Sequence, residues 1–274
     1  MAVISRITMQ KRNKERLNIY LTTEGKETFG FAVDQNVFVK YNLRKGLEID
    51  EEAIKELIDE DEKKKTINLG LHYLSYRMRT VQEMIDYLEK KERQPEHIKA
   101  AIATFKEHGY LDDKTFAASY IRSKSVSQIK GPMKLSQELK QKGVHQTVTE
   151  EALDQFNADD ERALIEKWVE KQKRKSAKES TSAQKQKLFQ QLRGKGFRTS
   201  SIQEVLERIE PQEDTDELDA LSYQAEKLER KLSKKVTGTE LRFKMKQALY
   251  QKGFSIGLIE SYLEGQQRGD DRDE

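Results

Sequence analysis

The chain has 274 residues, 36% charged, 35% hydrophobic and 8% aromatic, a composition that suits several small cores along its length rather than one deep one. Its 51 lysines and arginines nearly balance 48 acids, for a net charge of +3, so net charge alone announces no polyanionic partner. The absence of cysteine excludes disulfides, thiolate zinc sites and thiol nucleophiles. No apolar run approaches the roughly 20 residues that span a bilayer, and residues 1–10 lack the apolar centre of a signal peptide, so a soluble cytoplasmic protein without membrane contact is expected.

Residues 1–48 read as a small antiparallel β meander with a short helix. Leu17, Ile19 and Leu21 alternate with Asn18, Tyr20 and Thr22, and Phe29, Phe31 and Val33 alternate with Gly30 and Ala32, as half-buried strands do. Glu24-Gly25-Lys26 turns the one into the other, and Ile4 to Met9 supplies a further strand. Asp34 is placed to cap a short helix over Val37 to Tyr41, ended at Gly46, and Asp50 to cap another that runs through the acidic stretch to Glu62.

Everything after that reads as helical repetition. Aligned on Leu88, Leu139, Leu192 and Leu249, four segments each place an apolar residue one helical turn earlier: Met84, Leu135, Leu188 and Met245. A lysine follows each anchor by three positions, at Lys91, Lys142, Lys195 and Lys252. In three copies Gly143-Val144, Gly196-Phe197 or Gly253-Phe254 comes next, the pattern of a helix C-cap with its hydrophobic contact. A second helix then offers a stripe: Ile98, Ile102 and Phe105; Val148, Leu153 and Phe156; Ile202, Leu206 and Ile209; or Ile259 and Leu263. A further apolar-periodic segment precedes each pair, over residues 69–76, 116–121, 163–169 and 218–232. The anchors are 51, 53 and 57 residues apart. The expected fold is therefore mainly α: tandem three-helix repeats in an elongated array behind the meander. The expected divisions are 49–112 for the acidic helix and first repeat, then 113–157, 158–212 and 213–265, with a charged tail at 266–274. Within Gly109-Tyr110-Leu111-Asp112-Asp113, glycine closes one helix and Asp112 or Asp113 caps the next.

Charge comes in blocks. Residues 122–145 hold six cations (Arg122, Lys124, Lys130, Lys134, Lys140 and Lys142) against the single acid Glu138, and residues 162–198 hold twelve against three. The second block contains Lys173, Arg174, Lys175, Lys195 and Arg198. Lysine-rich helix faces need no partner beyond water, but two blocks mostly of one sign point towards phosphate contact. Tyr110 and Tyr120 lie near the first block, where base stacking is open to them alongside packing. Catalytic constellations are missing: His72, His97, His108 and His145 lack metal-ligand spacing, neither glycine-rich phosphate-loop pattern occurs, and Asp112-Asp113 has no third acid nearby. No catalytic residue, metal or cofactor is expected.

The chain resembles the RecX family of bacterial regulators of the RecA recombinase. The match rests on Tyr76-Arg77-Met78-Arg79-Thr80 with Glu83-Met84 and Tyr87-Leu88; on Gly109 to Asp113 with Phe116-Ala117 and Tyr120; and on Gly131-Pro132, Lys134-Leu135, Glu138-Leu139 and Lys142-Gly143-Val144. Two departures stand out: Glu92-Arg93 where members often have Gly-Phe, and Thr80 where serine is usual. The resemblance implies a modular helical protein that lies in the groove of the recombinase–DNA filament, touches single- and double-stranded DNA, and limits filament assembly and activity in recombination and the DNA-damage response without catalysing a reaction. It also implies that Arg77, Arg79 and Tyr110, beside the best-matching motif, face the recombinase. A monomer is expected. A free-standing DNA-binding protein and a helical scaffold are the alternatives.

Overall fold

A computed structural model describes residues 1–173, 178–208 and 214–270. The chain divides into two compact units, one of Met1–Ala117 with Lys140–Val148, the other of Ala118–Leu139 with Thr149–Glu274.

The first unit begins with an antiparallel sheet of β1 (Ala2–Met9), β2 (Arg16–Thr23), β3 (Lys26–Asp34) and β4 (Glu48–Ile49), in the order β3-β2-β1-β4. The β2–β3 hairpin turns at Glu24 and Gly25, both with positive φ (53° and 80°), a two-residue turn whose twist matches that of paired strands. β4 was not foreseen; it is a two-residue edge pairing with Ala2 and Val3. The expected short helix is α1 (Gln35–Lys40), and Asp34 caps it by accepting from the Asn36 N–H. Ile4, Ile19, Leu21, Phe31 and Val33 form the sheet's buried face.

What covers that face is α2 (Glu51–Leu74), capped by Asp50 as expected. The acidic stretch and the first apolar segment of the first repeat, read as two helices from sequence, are this one 24-residue helix. Its early residue Leu57 lies in the sheet's core, whereas Ile67, Leu69, Tyr73 and Leu74 pack on a separate cluster with Met84, Leu88, Ile98, Ala101 and Phe105. Asp61 ties helix to sheet: its buried carboxylate takes both Arg16 Nη1 (3.0 Å) and Nη2 (2.7 Å) and the Asp34 N–H (2.7 Å). Burial alone would raise the pKa of Asp61, but these donors and Lys65 outweigh it and hold the carboxyl below its ordinary value.

The repeats follow in order: α3 (Val81–Lys90) and α4 (Pro95–Glu107) beside α2; α5 (Asp113–Gln128), α6 (Pro132–Gln141) and α7 (Gln146–Asp154); α8 (Ala158–Lys173), α9 (Thr181–Gly194) and α10 (Thr199–Glu207); α11 (Asp214–Leu232), α12 (Gly238–Gln251) and α13 (Ile256–Asp270). All four anchors, Leu88, Leu139, Leu192 and Leu249, are 0% exposed. Leu88, Leu192 and Leu249 sit in three different clusters, so the first, third and fourth repeats keep separate cores. Burial of each such side chain contributes about 1.5–3 kcal/mol. One stripe is corrected: α7 buries Thr149 and Ala152 with Phe156 after it, not Val148 and Leu153, which are half-exposed. Ile209, expected on the third stripe, lies outside the described residues.

Candidate functional site

The recurrent feature of the repeats is the joint between consecutive ones. At the N-terminus of α3, the Thr80 hydroxyl accepts from the Glu83 N–H (3.0 Å) and donates to the Lys142 carbonyl (2.7 Å), in the next repeat. Ser180, the N-cap of α9, accepts from the Ala183 N–H and donates to the Lys252 carbonyl (2.5 Å), again in the next repeat. Between the second and third repeats, Gly131 holds the matching position. Having no hydroxyl, it uses its backbone N–H to reach the Lys195 carbonyl (2.9 Å), and the Met133 N–H adds a bond to Gly196 (3.0 Å). Each Lys-Gly pair read from sequence as a helix end is therefore also the acceptor by which one repeat receives the one before it.

The glycines of these pairs are fixed twice over. Gly143, Gly196 and Gly253 have φ of 75°, 84° and 87°, and a Cβ on Gly196 would lie 2.4 Å from the Lys134 backbone nitrogen. In the first repeat the same backbone turn is made by Glu92 with φ of 56°. No three-helix repeat precedes it, so the turn needs no close approach, and Arg93 instead pairs with Glu62 across 2.8 Å. That accounts for the Glu92-Arg93 departure.

A carboxylate early in the first helix of the second and fourth repeats adds a second bond between repeats. Asp112 is the local cap of α5, accepting from the Lys114 N–H (2.9 Å) and the Thr115 hydroxyl (2.5 Å). Asp113 instead accepts from the Val81 N–H at the first turn of α3 (2.9 Å), and burial raises its pKa above the ordinary value despite that bond. Glu217 of α11 does the same for the Thr181 N–H of α9. Glu161 of α8 follows a repeat whose corresponding residue is Pro132, with no N–H to offer; it turns to its own repeat, taking the Arg198 N–H (2.7 Å) and the Ser201 hydroxyl (3.0 Å).

The cations singled out from sequence fall into two sets. Several are committed to internal acids. Glu83 binds both Arg77 (3.2 Å) and Lys142 (2.8 Å), which overcome its burial and hold its pKa below the ordinary value. Glu138 is served in the same way by Lys130 (2.6 and 2.9 Å) and the Tyr120 hydroxyl (2.9 Å), so Tyr120 is a packing and positioning residue at that acid. Arg198 reaches Glu161, and Lys195 lies over the Trp168 ring at 5.6 Å.

The other set faces outward. Lys140 is exposed, Lys134 half-exposed, and Arg122 is exposed at the rim of a cavity of about 440 Å³ floored by Ile121, Phe156 and Leu164. Arg79 does not belong to this outward set: it is half-buried, its guanidinium stacks on Tyr73 at 3.9 Å, and Tyr73 stacks on Tyr87. Tyr110 is 57% exposed with His108 stacked behind it, and Tyr76 is 71% exposed. Lys173 ends α8, while Arg174 and Lys175 lie outside the described residues. Among the described residues no group of three or more His, Asp or Glu is placed to hold a metal, and no helix is long and apolar enough to cross a membrane.

These features belong to a known architecture. Family models match the chain as Regulatory protein RecX N-terminal domain over residues 2–50, RecX first three-helix domain over 67–105, and RecX second three-helix domain over 112–153. The RecX third three-helix domain matches twice, over 159–206 and 214–263. Regulatory protein RecX of Halalkalibacterium halodurans is 46% identical over 264 residues, 96% of this chain and 99% of that one. The protein of the same name from Bacillus subtilis is 40% identical over 266 residues, covering 96% and 98%. A crystal structure of regulatory protein RecX superposes with a TM-score of 0.65 at 32% identity, covering 76% of this chain and all of that one. RecX from Lactobacillus salivarius gives 0.53 at 27% identity, over 54% of this chain and 97% of its own. With its meander, its jointed three-helix repeats and relatives aligned along nearly its whole length, the chain belongs to the RecX family of regulatory proteins.

Proposed function

We propose that this chain is a non-catalytic, cytoplasmic modulator of the RecA recombinase, acting as a monomer. It binds in the groove of the recombinase–DNA filament and limits filament assembly and activity in recombination and the DNA-damage response. The observation that carries this reading is the joint repeated through Thr80, Gly131 and Ser180, which sets similar three-helix repeats one after another. Tandem repeats suit a partner that is itself periodic, because several weak contacts act together at high effective concentration.

The functional division we propose is 1–48, 49–112, 113–157, 158–212 and 213–265. Lys134, Lys140, Arg122 and the Lys173, Arg174 and Lys175 cluster are assigned to DNA phosphates, single- or double-stranded. Tyr110, Arg79 and Arg77 are assigned to the recombinase. Lys130, Lys142, Lys195 and Arg198, like Arg77 and Arg79, keep only a supporting part in binding, because their side chains already serve an acid or an aromatic ring.

Co-sedimentation tests the reading. Binding should be tighter to preassembled recombinase filaments than to naked single-stranded DNA at the same nucleotide concentration. Equal binding to both would make the chain a free-standing DNA-binding protein and would remove the recombinase from the account.

A further inference from the structure

The last repeat carries a cationic face that the linear charge count hides. On α11, Tyr223, Lys227, Arg230 and Lys231 stand at i, i+4, i+7 and i+8, one side of the helix, and Lys234 and Lys235 follow in the turn after it; all are exposed. They surround an open groove of about 620 Å³. Glu226 shares the face but is taken up by Arg230 at 3.3 Å. Among the described residues no carboxylate lies within ion-pair distance of Lys227, Lys231, Lys234 or Lys235. A further cation arrives from outside the helix: the Lys178 ammonium sits 4.4 Å over the Tyr223 ring, and the Gln224 amide holds the Lys178 carbonyl at 2.6 Å.

From this placement we infer that α11 and the turn after it form a separate binding face for the phosphodiester backbone of single-stranded DNA, with Lys227, Lys231 and Lys234 as its phosphate contacts. Cations one helical turn apart, about 5.4 Å along the axis, offer a row of charge rather than a single point. One position of the row has a counterpart one repeat earlier. Counted from the buried residues Ile165 and Leu221, Lys171 and Lys227 occupy the same position, and both are exposed. A ligand met by the same helix position in successive repeats is one whose charge repeats, as a nucleic-acid strand's does. The face lacks the apolar side chains that insertion into a lipid surface requires, Tyr223 being the sole aromatic on it.

The inference rests on the filament reading only for its choice of nucleic acid, and its main test needs no recombinase; binding to preassembled filaments is measured beside it. Binding of the full chain to an oligothymidine is measured over a range of salt for the native protein and for Lys227→Gln/Lys231→Gln/Lys234→Gln. Lys11→Gln/Lys14→Gln/Lys26→Gln, changed at exposed positions in the N-terminal sheet region, is the charge-matched control. The slope of log K against log salt should shrink by about 2 in the α11 variant, at roughly 0.7 per phosphate, and stay unchanged in the control. Circular dichroism checks the helices, which Lys→Gln should preserve. If the triple variant is misfolded, Lys231→Gln and Lys234→Gln are measured singly, each with an expected loss of about 0.7. An unchanged slope, an equal loss in the control, or no binding of the native protein to the oligothymidine overturns the inference. Loss of filament binding with an unchanged naked-strand slope would make the face a protein contact and overturn it equally, while leaving the filament reading intact.

Discussion

The Thr80 hydroxyl caps its own helix and, through the same oxygen, donates to the Lys142 carbonyl 2.7 Å away in the following repeat. One side chain thus joins local helix formation to repeat stacking. Thr80→Ala should cost about 2 kcal/mol, more than the typical cap alone, because the Lys142 carbonyl also loses a donor. Thr80→Ser should stay within about 0.5 kcal/mol of the native protein. Denaturant unfolding of both variants checks this, and equal loss in the two would show that the methyl group, not the hydroxyl, matters.

Glycine tolerance should separate turns that meet a neighbouring repeat from turns that do not. Gly196 has φ of 84° with the Lys134 backbone 2.4 Å from a built Cβ, whereas Gly109 has φ of 71° with nothing within 4 Å. Asparagine accepts the left-handed backbone. Gly109→Asn should therefore cost under about 1 kcal/mol, and Gly196→Asn should cost more than about 2 kcal/mol as the joint is forced apart. Melting temperatures of the two variants give the comparison.

Lys130 and Lys140 should behave oppositely although both come from one basic stretch. Lys130→Gln removes the cation that serves half-buried Glu138 and should cost about 1 kcal/mol. Lys140→Gln, at an exposed position, should leave stability within about 0.5 kcal/mol and reduce only the salt dependence of binding.

Two acids should respond to pH with opposite sign. Arg77 and Lys142 overcome burial to depress the pKa of Glu83, so its contribution is present above the unfolded-state pKa and is lost as pH falls through the folded value. The stability gap between the native protein and Glu83→Gln should shrink from about pH 6 to about pH 3. Burial raises the pKa of Asp113, so its contribution is present below the unfolded-state pKa and fades as pH rises through the folded value. Asp113→Asn, which keeps an acceptor for Val81, should gain on the native protein over the same range as pH rises. Chemical denaturation at stepped pH reads both trends.

The repeat was legible because Leu88, Leu139, Leu192 and Leu249 recur with an apolar residue one turn before, a pattern that local periodicity imposes. Helix α2 was split in the sequence reading because an acidic first half and an apolar second half look like two helices. Its halves differ because they cover two different cores. In α7 small Thr149 and Ala152 are the buried residues, and larger Val148 and Leu153 drew the stripe one position aside. The roles of Asp112 and Asp113 were not separable, since both are short acids at a helix start and only the Val81 N–H, 32 positions away, distinguishes them. Ion pairs such as Lys142 with Glu83 are likewise invisible in a linear charge count, which is why the cation assignments needed dividing. The α11 face escaped notice because Glu226 and Glu229 dilute the stretch in sequence, while in the helix Glu226 pairs with Arg230.

Limiting the recombinase filament is the activity proposed for this chain. Light scattering during filament assembly on single-stranded DNA, with increasing amounts of the protein added before the recombinase, tests it most directly. The claim predicts that the final scattering falls with added protein, and that Thr80→Ala, by loosening the joint, needs a higher concentration for the same fall. Assembly that proceeds to the same extent with the native protein in excess over recombinase would contradict it.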